Sequence, residues 1–293
     1  MIFINDYDKI YCERCYIKLL KMTGDFVIRR IIMIVTILGS SAKQTNLREC
    51  VSVLLDVENE TVLFDAGPGI VSSLERANRK TTEINKVILT HVHGDHMLGF
   101  AYFIWTRNGD IKAIKNCDCD KFELNVYGQN DTIQLAKMML DMAYPGLKLL
   151  FKINFIEIQK EESIVWSNNT YVEFYDAIHA VPTISTIIKA EGKKFVYTSD
   201  TLPNENLYDV SAGASFLIHE GMFTNENFDK SRKTKHSTSL DAAQFANTIN
   251  AEQLVLVHIL PKMFGREGDM LKEAASVYKG VLSIPFDGCV YYV

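Results

Sequence analysis

From residue 31 onward, short apolar segments alternate with polar turns, and this pattern predicts a series of β-strands. The longest of these segments covers residues 31–38 and is rich in β-branched side chains. Residues 51–56 and 61–65 are separated by four residues and predict a hairpin. Further strands are predicted at 86–90, 124–127, 171–178, 186–190, 195–198, 216–218 and 254–260, with two short ones within 281–293.

Three segments between these strands have the pattern of helices. Residues 70–78 form the first, and residues 132–143 form the second, with Asp131 as its predicted N-cap. The third opens at Thr238-x-x-Asp241, which resembles a capping box, and ends near residue 250. Because clusters of strands alternate with helices, the sequence predicts an α/β fold, an αββα sandwich of two mixed β-sheets with outer helices.

The first thirty residues differ from the rest because they are mixed in charge and lack this alternation. We therefore predict an N-terminal extension over residues 1–30 and one domain over residues 31–293. The longest apolar run is far shorter than the roughly 20 residues that a membrane-spanning helix needs. The expectation is a cytoplasmic protein with reduced cysteines and no membrane partner.

Composition narrows the classes of function. Of 293 residues, 31 are Lys or Arg and 36 are Asp or Glu, which gives a formal charge of −5. Non-specific binding of long nucleic acids usually requires a net basic surface, so this balance argues against it. Apolar residues make up 47% of the chain, which excludes disorder as its dominant state.

The most informative motif is His91-Val-His93-Gly-Asp95-His96, which holds three of the seven histidines of the chain. Imidazole nitrogens and carboxylate oxygens are ligands of Zn²⁺. The motif follows the predicted buried strand 86–90, so a rigid scaffold would hold it. Such a loop can direct alternate side chains toward two adjacent ions, and it predicts a metal site.

The other histidines lie at informative positions. His179 and Asp200 each follow a predicted strand, and His258 lies in the apolar run 254–260. Taken alone, each has an ordinary explanation, since a single histidine in an apolar strand is usually a core residue and an aspartate at a strand end often forms a turn. Beside the first motif, all three become candidate ligands.

Taken in order, these motifs resemble the metallo-β-lactamase superfamily, and the resemblance covers roughly residues 34–260. The superfamily motifs match at Asp65-x-Gly67, at His91 to His96, at His179, at Asp200 and at His258. Two further motifs are similar to those of the ribonuclease Z-like branch, which also includes cyclic-nucleotide phosphodiesterases. These motifs are His219-Glu220 and His236-Ser237-Thr238. The resemblance implies that residues 31–293 form a catalytic domain with the metallo-β-lactamase fold.

The resemblance also implies a dinuclear metal centre. The implied ligands are His91, His93 and His179 for one ion, Asp95, His96 and His258 for the other, and Asp200 as the bridge. Two divalent ions are expected, with zinc favoured and manganese or iron as alternatives. The resemblance implies that His236 protonates the leaving oxygen and is held by Glu220, and it counts Asp95 among the catalytic groups. His219 is expected to help orient this site.

The chain departs from the ribonuclease Z pattern in ways that bear on the substrate. Asp200 lies only 21 positions after His179, in the interval where transfer-RNA-processing relatives insert an arm that grips RNA. In addition, Lys235 stands where the family favours glycine. With no arm and an acidic chain, the expected substrate is a small nucleotide phosphodiester, cyclic mononucleotides being the leading candidates. By resemblance, a homodimer is expected.

Three alternatives remain open at this point. The chain could be a ribonuclease Z-type endonuclease that processes the 3′ end of transfer RNA, although the short interval opposes this. It could hydrolyse a thioester or a lactone with the same metals. It could also be a nucleotide-binding sensor without catalysis, which the complete ligand set disfavours.

Four of the six cysteines form two close pairs, Cys12-x-x-Cys15 and Cys117-x-Cys119. Four thiolates could bind a structural zinc ion that ties the N-terminal extension to the domain. The alternative is that they are unconnected thiols on a terminal segment and a loop.

Overall fold

The computed structural model describes residues 3–5, 9–12, 15–22, 25–30, 32–159, 161–167 and 169–293. Within this part of the chain, two seven-stranded mixed sheets pack face to face, and helices cover their outer faces. The predicted αββα fold class is therefore confirmed. No helix of these residues is both long enough and apolar enough to span a lipid bilayer.

The first four strands form a sheet of their own, which the sequence pattern did not predict. It is antiparallel, in the order β1-β2-β3-β4. Its strands are β1 (Phe3–Asn5), β2 (Lys9–Cys12), β3 (Cys15–Met22) and β4 (Asp25–Arg30). They fall within the predicted N-terminal extension, whose boundary stays a prediction.

The first large sheet has the order β10-β9-β8-β7-β6-β5-β18. Its strands are β5 (Met33–Gly39), β6 (Ser52–Val57), β7 (Glu60–Phe64), β8 (Lys86–Ile88), β9 (Leu124–Gly128), β10 (Ile153–Glu157) and β18 (Val290–Tyr292). The predicted hairpin is present as β6 and β7, and β7 through β10 run parallel.

The second large sheet has the order β11-β12-β13-β14-β15-β16-β17. Its strands are β11 (Ser163–Val165), β12 (Thr170–Asp176), β13 (Ile184–Ala190), β14 (Lys193–Tyr197), β15 (Phe216–Glu220), β16 (Gln253–Val257) and β17 (Val281–Ser283). Strands β14 through β17 run parallel. The hairpin of β13 and β14 turns at Glu191-Gly192, where both residues have positive φ.

Eight α-helices connect these strands in the described residues. They are α1 (Ile70–Arg76), α2 (Gly94–Met97), α3 (Phe100–Ala113), α4 (Asn130–Ala143), α5 (Tyr208–Ser211), α6 (Phe228–Thr234), α7 (Ser239–Thr248) and α8 (Glu267–Val277). The predicted capping box at Thr238 and Asp241 is confirmed. The predicted start of α4 was wrong: Gln129 is the N-cap, and Asp131 accepts a hydrogen bond from the backbone N–H of Thr132 within the first turn.

The core lies in three layers. One fills the space between the two sheets, where the rings of Phe64 and Phe195 meet at 5.5 Å. The other two lie between each sheet and its helices. The central parallel strands β8, β9, β15 and β16 are almost completely buried and largely apolar, which explains why the sequence reveals them clearly. Their carboxyl ends meet at one edge of the sandwich, and the candidate ligands lie there.

Candidate metal centre

Each candidate ligand lies just beyond the carboxyl end of a strand. The motif at residues 91–96 follows β8, His179 follows β12, Asp200 follows β14, and His258 follows β16. Because β12 and β14 are both antiparallel to β13, they run in the same direction, as do β14 and β16. Two facing sheets therefore deliver short loops to one place.

The structure brings all seven predicted ligands together, and two groups of candidate ligands contain them. Within each group, the potential ligand atoms lie within 4.8 Å of one another. The first group is His91, His93, His179 and Asp200, and the second is Asp95, His96 and His258. Segments more than 160 residues apart in sequence thus form one cluster.

Asp200 lies at the centre of this cluster and is almost fully buried. Its Oδ2 atom lies 3.3 Å from Nε2 of His258 and 3.5 Å from Nε2 of His96. The same oxygen lies 3.8 Å from Nε2 of His91 and 3.9 Å from Nε2 of His179. Although burial opposes its charged form, His258 and His96 hold the pKa of Asp200 well below its usual value. One ionised carboxylate is thus shared by histidines of both groups.

The donor atoms fit divalent metal ions. Nε2 of His91 and Nε2 of His96 are buried and have no hydrogen-bond partner in the structure. Buried polar atoms are normally paired, because leaving one without a partner costs about 1–3 kcal/mol. Burial lowers the pKa of His91 well below its usual value, so its imidazole is in the neutral form that binds metals. Metal ions would satisfy these nitrogens.

Hydrogen bonds behind the ligands fix the orientation of the rings. Nδ1 of His91 lies 3.0 Å from Oγ1 of Thr90, and Nδ1 of His96 lies 2.8 Å from Oδ2 of Asp65. The Nδ1–H group of His179 donates to the carbonyl oxygen of Lys235 at 2.9 Å. Such contacts leave Nε2 free as the ligand atom and hold each ring in place.

Asp65 is a residue whose importance the sequence reasoning missed. Its carboxylate accepts hydrogen bonds from the backbone N–H of Thr90 at 2.8 Å and from the hydroxyl of Tyr197 at 3.3 Å, in addition to its contact with His96. The sequence signal was its place directly after a predicted strand in Asp65-x-Gly67, which suggested only a family match. Asp65 joins the two sheets behind the metal ligands.

Three residues at this edge adopt the left-handed conformation, which is unfavourable for most residues. Asp65, Ser199 and His258 have φ values of +60°, +56° and +59°. They follow or nearly follow β7, β14 and β16, where each strand turns toward the site. Strain of this kind is maintained by surrounding structure and concentrates at functional sites.

We expect Asp65→Asn to weaken metal binding by roughly 10- to 100-fold, because that is the usual effect of losing a carboxylate behind a ligating histidine. Asparagine keeps the size of the side chain and tolerates the left-handed backbone, so the change is mainly electrostatic. Metal affinity would be measured by competition with a chelator, with Asp209→Asn, a change at an exposed position, as the control. Equal affinities in both variants would contradict the role of Asp65.

His236 and Glu220 form a buried pair beside the cluster. Nδ1 of His236 lies 3.1 Å from Oε2 of Glu220 and 3.8 Å from Oδ2 of Asp200. Glu220 also accepts a hydrogen bond from the backbone N–H of Thr201 at 2.5 Å. Burial opposes protonation of His236, but the charge and hydrogen bond of Glu220 outweigh it and raise the pKa of His236 to about 9. His236, with Asp200 and His258, is also close enough to share a metal.

His219 lies away from the metal ligands. Its ring packs against Phe245 of α7 at 5.2 Å, and its Nδ1–H group donates to the backbone oxygen of Glu220 at 2.7 Å. Burial lowers the pKa of His219 to about 4, so the ring is neutral. Its contact with the site therefore runs through the backbone of Glu220.

A cavity adjoins the cluster at His179. It has a volume of about 430 Å³ and is lined by residues of the segment 176–183 together with Gln129. Gln129 donates from Nε2 to Asp176 at 3.3 Å. Ligand pockets for small molecules have volumes of this order.

The predicted structural zinc site is only partly described. The Sγ atoms of Cys117 and Cys119 lie 3.3 Å apart, and neither cysteine forms a disulfide. The side chains of Cys12 and Cys15 lie outside the described residues. A zinc ion shared by the four cysteines stays a prediction.

Comparisons with known proteins agree with the fold. The family model described as "Beta-lactamase superfamily domain" matches residues 60–259, which is more than half of the chain. A ribonuclease Z from Prochlorococcus marinus (strain MIT 9301) is 26% identical over 84% of this chain and 95% of its own length.

Two solved structures share the fold. The metallo-β-lactamase fold protein YhfI from Bacillus subtilis superposes with a TM-score of 0.76 at 22% identity, covering 89% of this chain and 100% of its own. The short form of human tRNase Z (ELAC1) superposes with a TM-score of 0.72 at 21% identity, covering 88% and 98%.

The two facing sheets and the histidine–aspartate cluster at their common edge are those of a metal-dependent hydrolase. The chain belongs to the metallo-β-lactamase superfamily, and its curated relative from Prochlorococcus marinus is a ribonuclease Z.

Proposed function

We propose that the protein is a dinuclear metal-dependent phosphodiesterase that hydrolyses small nucleotide phosphodiesters, with cyclic mononucleotides as the leading candidates. The observation that carries this proposal is the Glu220–His236 pair, because it supplies a protonated imidazole beside the metal ligands. Cleavage of a phosphodiester releases an alkoxide, which leaves readily only when it receives a proton.

His236 is the proposed proton donor. Nδ1 of His236 faces Glu220, so Nε2 is the atom that can deliver a proton to the leaving oxygen. Glu220 is held by the backbone of Thr201 and therefore keeps the imidazole in a fixed orientation. A thioester releases a thiolate, which needs this proton much less because the pKa of a thiol is near 8.5. The pair thus favours a phosphodiester over a thioester.

The candidate metal ligands would provide the other two requirements of the reaction, which are an activated nucleophile and stabilisation of negative charge. When bound, two divalent ions activate water as a nucleophile and stabilise charge on the phosphoryl oxygens. Asp200 faces histidines of both groups and is proposed to hold the two ions at a fixed separation. Zinc is the proposed metal, with manganese or iron as alternatives, and a homodimer is proposed from the family resemblance.

The connection between His179 and Asp200 supports a small substrate. Strands β13 and β14 are joined by a two-residue turn, so no RNA-gripping arm lies there. The cavity of about 430 Å³ beside His179 suits a group of the size of a nucleoside. The competing proposal, 3′ processing of transfer RNA, draws its support from the ribonuclease Z name of relatives that are 26% identical to this chain.

A panel of substrates tests the proposal. Purified protein would be assayed with cyclic mononucleotides, linear dinucleotides and a precursor transfer RNA, with Asp200→Ala as the inactive control. We expect cyclic mononucleotides or dinucleotides to be hydrolysed with the higher kcat/KM. Efficient cleavage of the precursor at its discriminator base, without hydrolysis of the small substrates, would instead establish the transfer-RNA activity.

A further inference from the structure

Three lysines lie on the rim of the site, next to the general-acid candidate. Lys230 is in α6, Lys235 directly precedes His236, and Lys262 lies four residues after His258. We call these three residues the lysine rim. All three side chains are exposed. The ammonium group of Lys235 donates to the backbone oxygen of His179 at 3.1 Å, so the rim begins at a candidate metal ligand.

Contacts around Phe223 connect the other two lysines, Lys230 and Lys262, to the candidate site. The segment after Glu220 runs past Phe223, which forms a bridge with Thr238. Close by, the N–H of Met222 donates to the oxygen of Ser237 at 3.0 Å. The ammonium groups of Lys230 and Lys262 lie 5.7 Å and 5.1 Å from the centre of the Phe223 ring. Both lysines therefore lie near the ring of Phe223, which is three positions after Glu220 and forms a bridge with Thr238, two positions after His236.

The nearby carboxylates form their ion pairs with arginines, although the charge of Glu226 also acts on the ammonium group of Lys262. Arg232 contacts Asp241 at 2.6 Å, and Arg266 contacts Glu226. Within the described part of the chain, the lysine rim forms no ion pair with a carboxylate. Lys262 instead donates to the side-chain oxygen of Asn227 at 2.7 Å, an amide that carries no charge.

Lys230 and Lys262 are held close enough to repel each other. Partial burial and the nearby charge of Lys230 lower the pKa of Lys262. Two ammonium groups over one aromatic ring form a local positive site in a protein whose net charge is −5. An anion between them would relieve the repulsion.

We propose that the lysine rim binds a second phosphate of the substrate, next to the scissile one. The preferred substrate would then be a nucleotide with at least two phosphates, such as a cyclic or linear dinucleotide, rather than a cyclic mononucleotide. This inference rests on the proposed phosphodiesterase function and refines its substrate class. Glu220 and Phe223 are three residues apart, a span of at most about 10 Å, which one or two nucleotide units can bridge.

The test compares two ligands that the enzyme cannot cleave as phosphodiesters. Binding of uridine 3′,5′-bisphosphate and uridine 5′-monophosphate to the metal-loaded protein would be measured by calorimetry. We expect the wild type to bind the bisphosphate roughly tenfold more tightly, because two charge-assisted contacts are added. The variant Lys230→Gln/Lys262→Gln is expected to lose most of this preference. The salt dependence of bisphosphate binding should also become shallower, by about 0.7 in log–log slope per lysine.

A charge-matched control is Lys112→Gln/Lys193→Gln. Lys112 lies in the last turn of α3, and Lys193 begins β14, so both are at the ends of their elements away from the site. This control should keep the wild-type preference for the bisphosphate. Equal affinity of the wild type for the two ligands, or equal loss in both double variants, would overturn the proposal. If the preference is present but no phosphodiester is hydrolysed, the proposed function fails while the phosphate site stands.

Discussion

Replacing Asp200 by alanine is expected to lower the rate of bis(p-nitrophenyl) phosphate hydrolysis by roughly 10³-fold or more, since this one carboxylate is proposed to hold both metal ions. Its Oδ2 atom faces ring nitrogens of five histidines, so its loss removes the negative charge that these histidines share. His93→Ala should be equally damaging, because Nδ1 of His93 lies 3.2 Å from Nε2 of His179 in the same ligand group.

The assay should be paired with metal analysis of each purified variant. Asp200→Ala is expected to retain less metal than the wild type, and Asp209→Ala, at an exposed aspartate, should keep both activity and metal. Folding would be checked by circular dichroism, because Asp200 is buried. If folded Asp200→Ala and His93→Ala both hydrolysed the ester at the wild-type rate, the assigned site would be wrong.

The second large effect is expected from a substitution at His236, which should lower catalytic activity without changing the metal content. His236→Ala removes the proposed proton donor, and loss of general acid catalysis lowers turnover by roughly 10²- to 10⁴-fold. Metal content should stay at the wild-type level, because the seven candidate ligands remain. The measurement is kcat together with metal content for each variant.

The leaving group provides a sharper readout for the same variant. p-Nitrophenolate leaves without a proton far more easily than an alkoxide does. The substitution His236→Ala should therefore lower the rate of bis(p-nitrophenyl) phosphate hydrolysis much less than the rate of hydrolysis of a nucleotide substrate. Glu220→Gln should follow the same pattern, since it removes the charge that raises the pKa of His236. Loss of metal from His236→Ala would instead make His236 a ligand, as its position near Asp200 and His258 also permits.

Much of the fold could be predicted because its parallel strands are buried on both faces. Strands β8, β14 and β16 each end in an apolar run, and each is followed by a residue of the site. Helix α3 was missed because it has apolar residues around much of its surface and therefore lacks a clear polar face. The error at the start of α4 was of two residues, a usual uncertainty for a helix end.

The chemistry of the site was also present in the sequence, because the ligand types and their order do not depend on the fold. The role of Asp65 was not, since its contacts with Thr90, His96 and Tyr197 join residues up to 132 positions apart. The lysine rim was equally invisible, because Lys230 and Lys262 become neighbours only through the buried ring of Phe223.

The sequence by itself determined most strands of the two large sheets and which residue types could bind metal, because both follow from local patterns of apolar side chains and ligating groups. Only the tertiary structure decided which of those groups share an ion, which carboxylate supports each histidine and where uncompensated charge lies. The physical reason is that electrostatic and hydrogen-bond energies depend on distances in space. In this protein, the facing ends of two sheets set those distances.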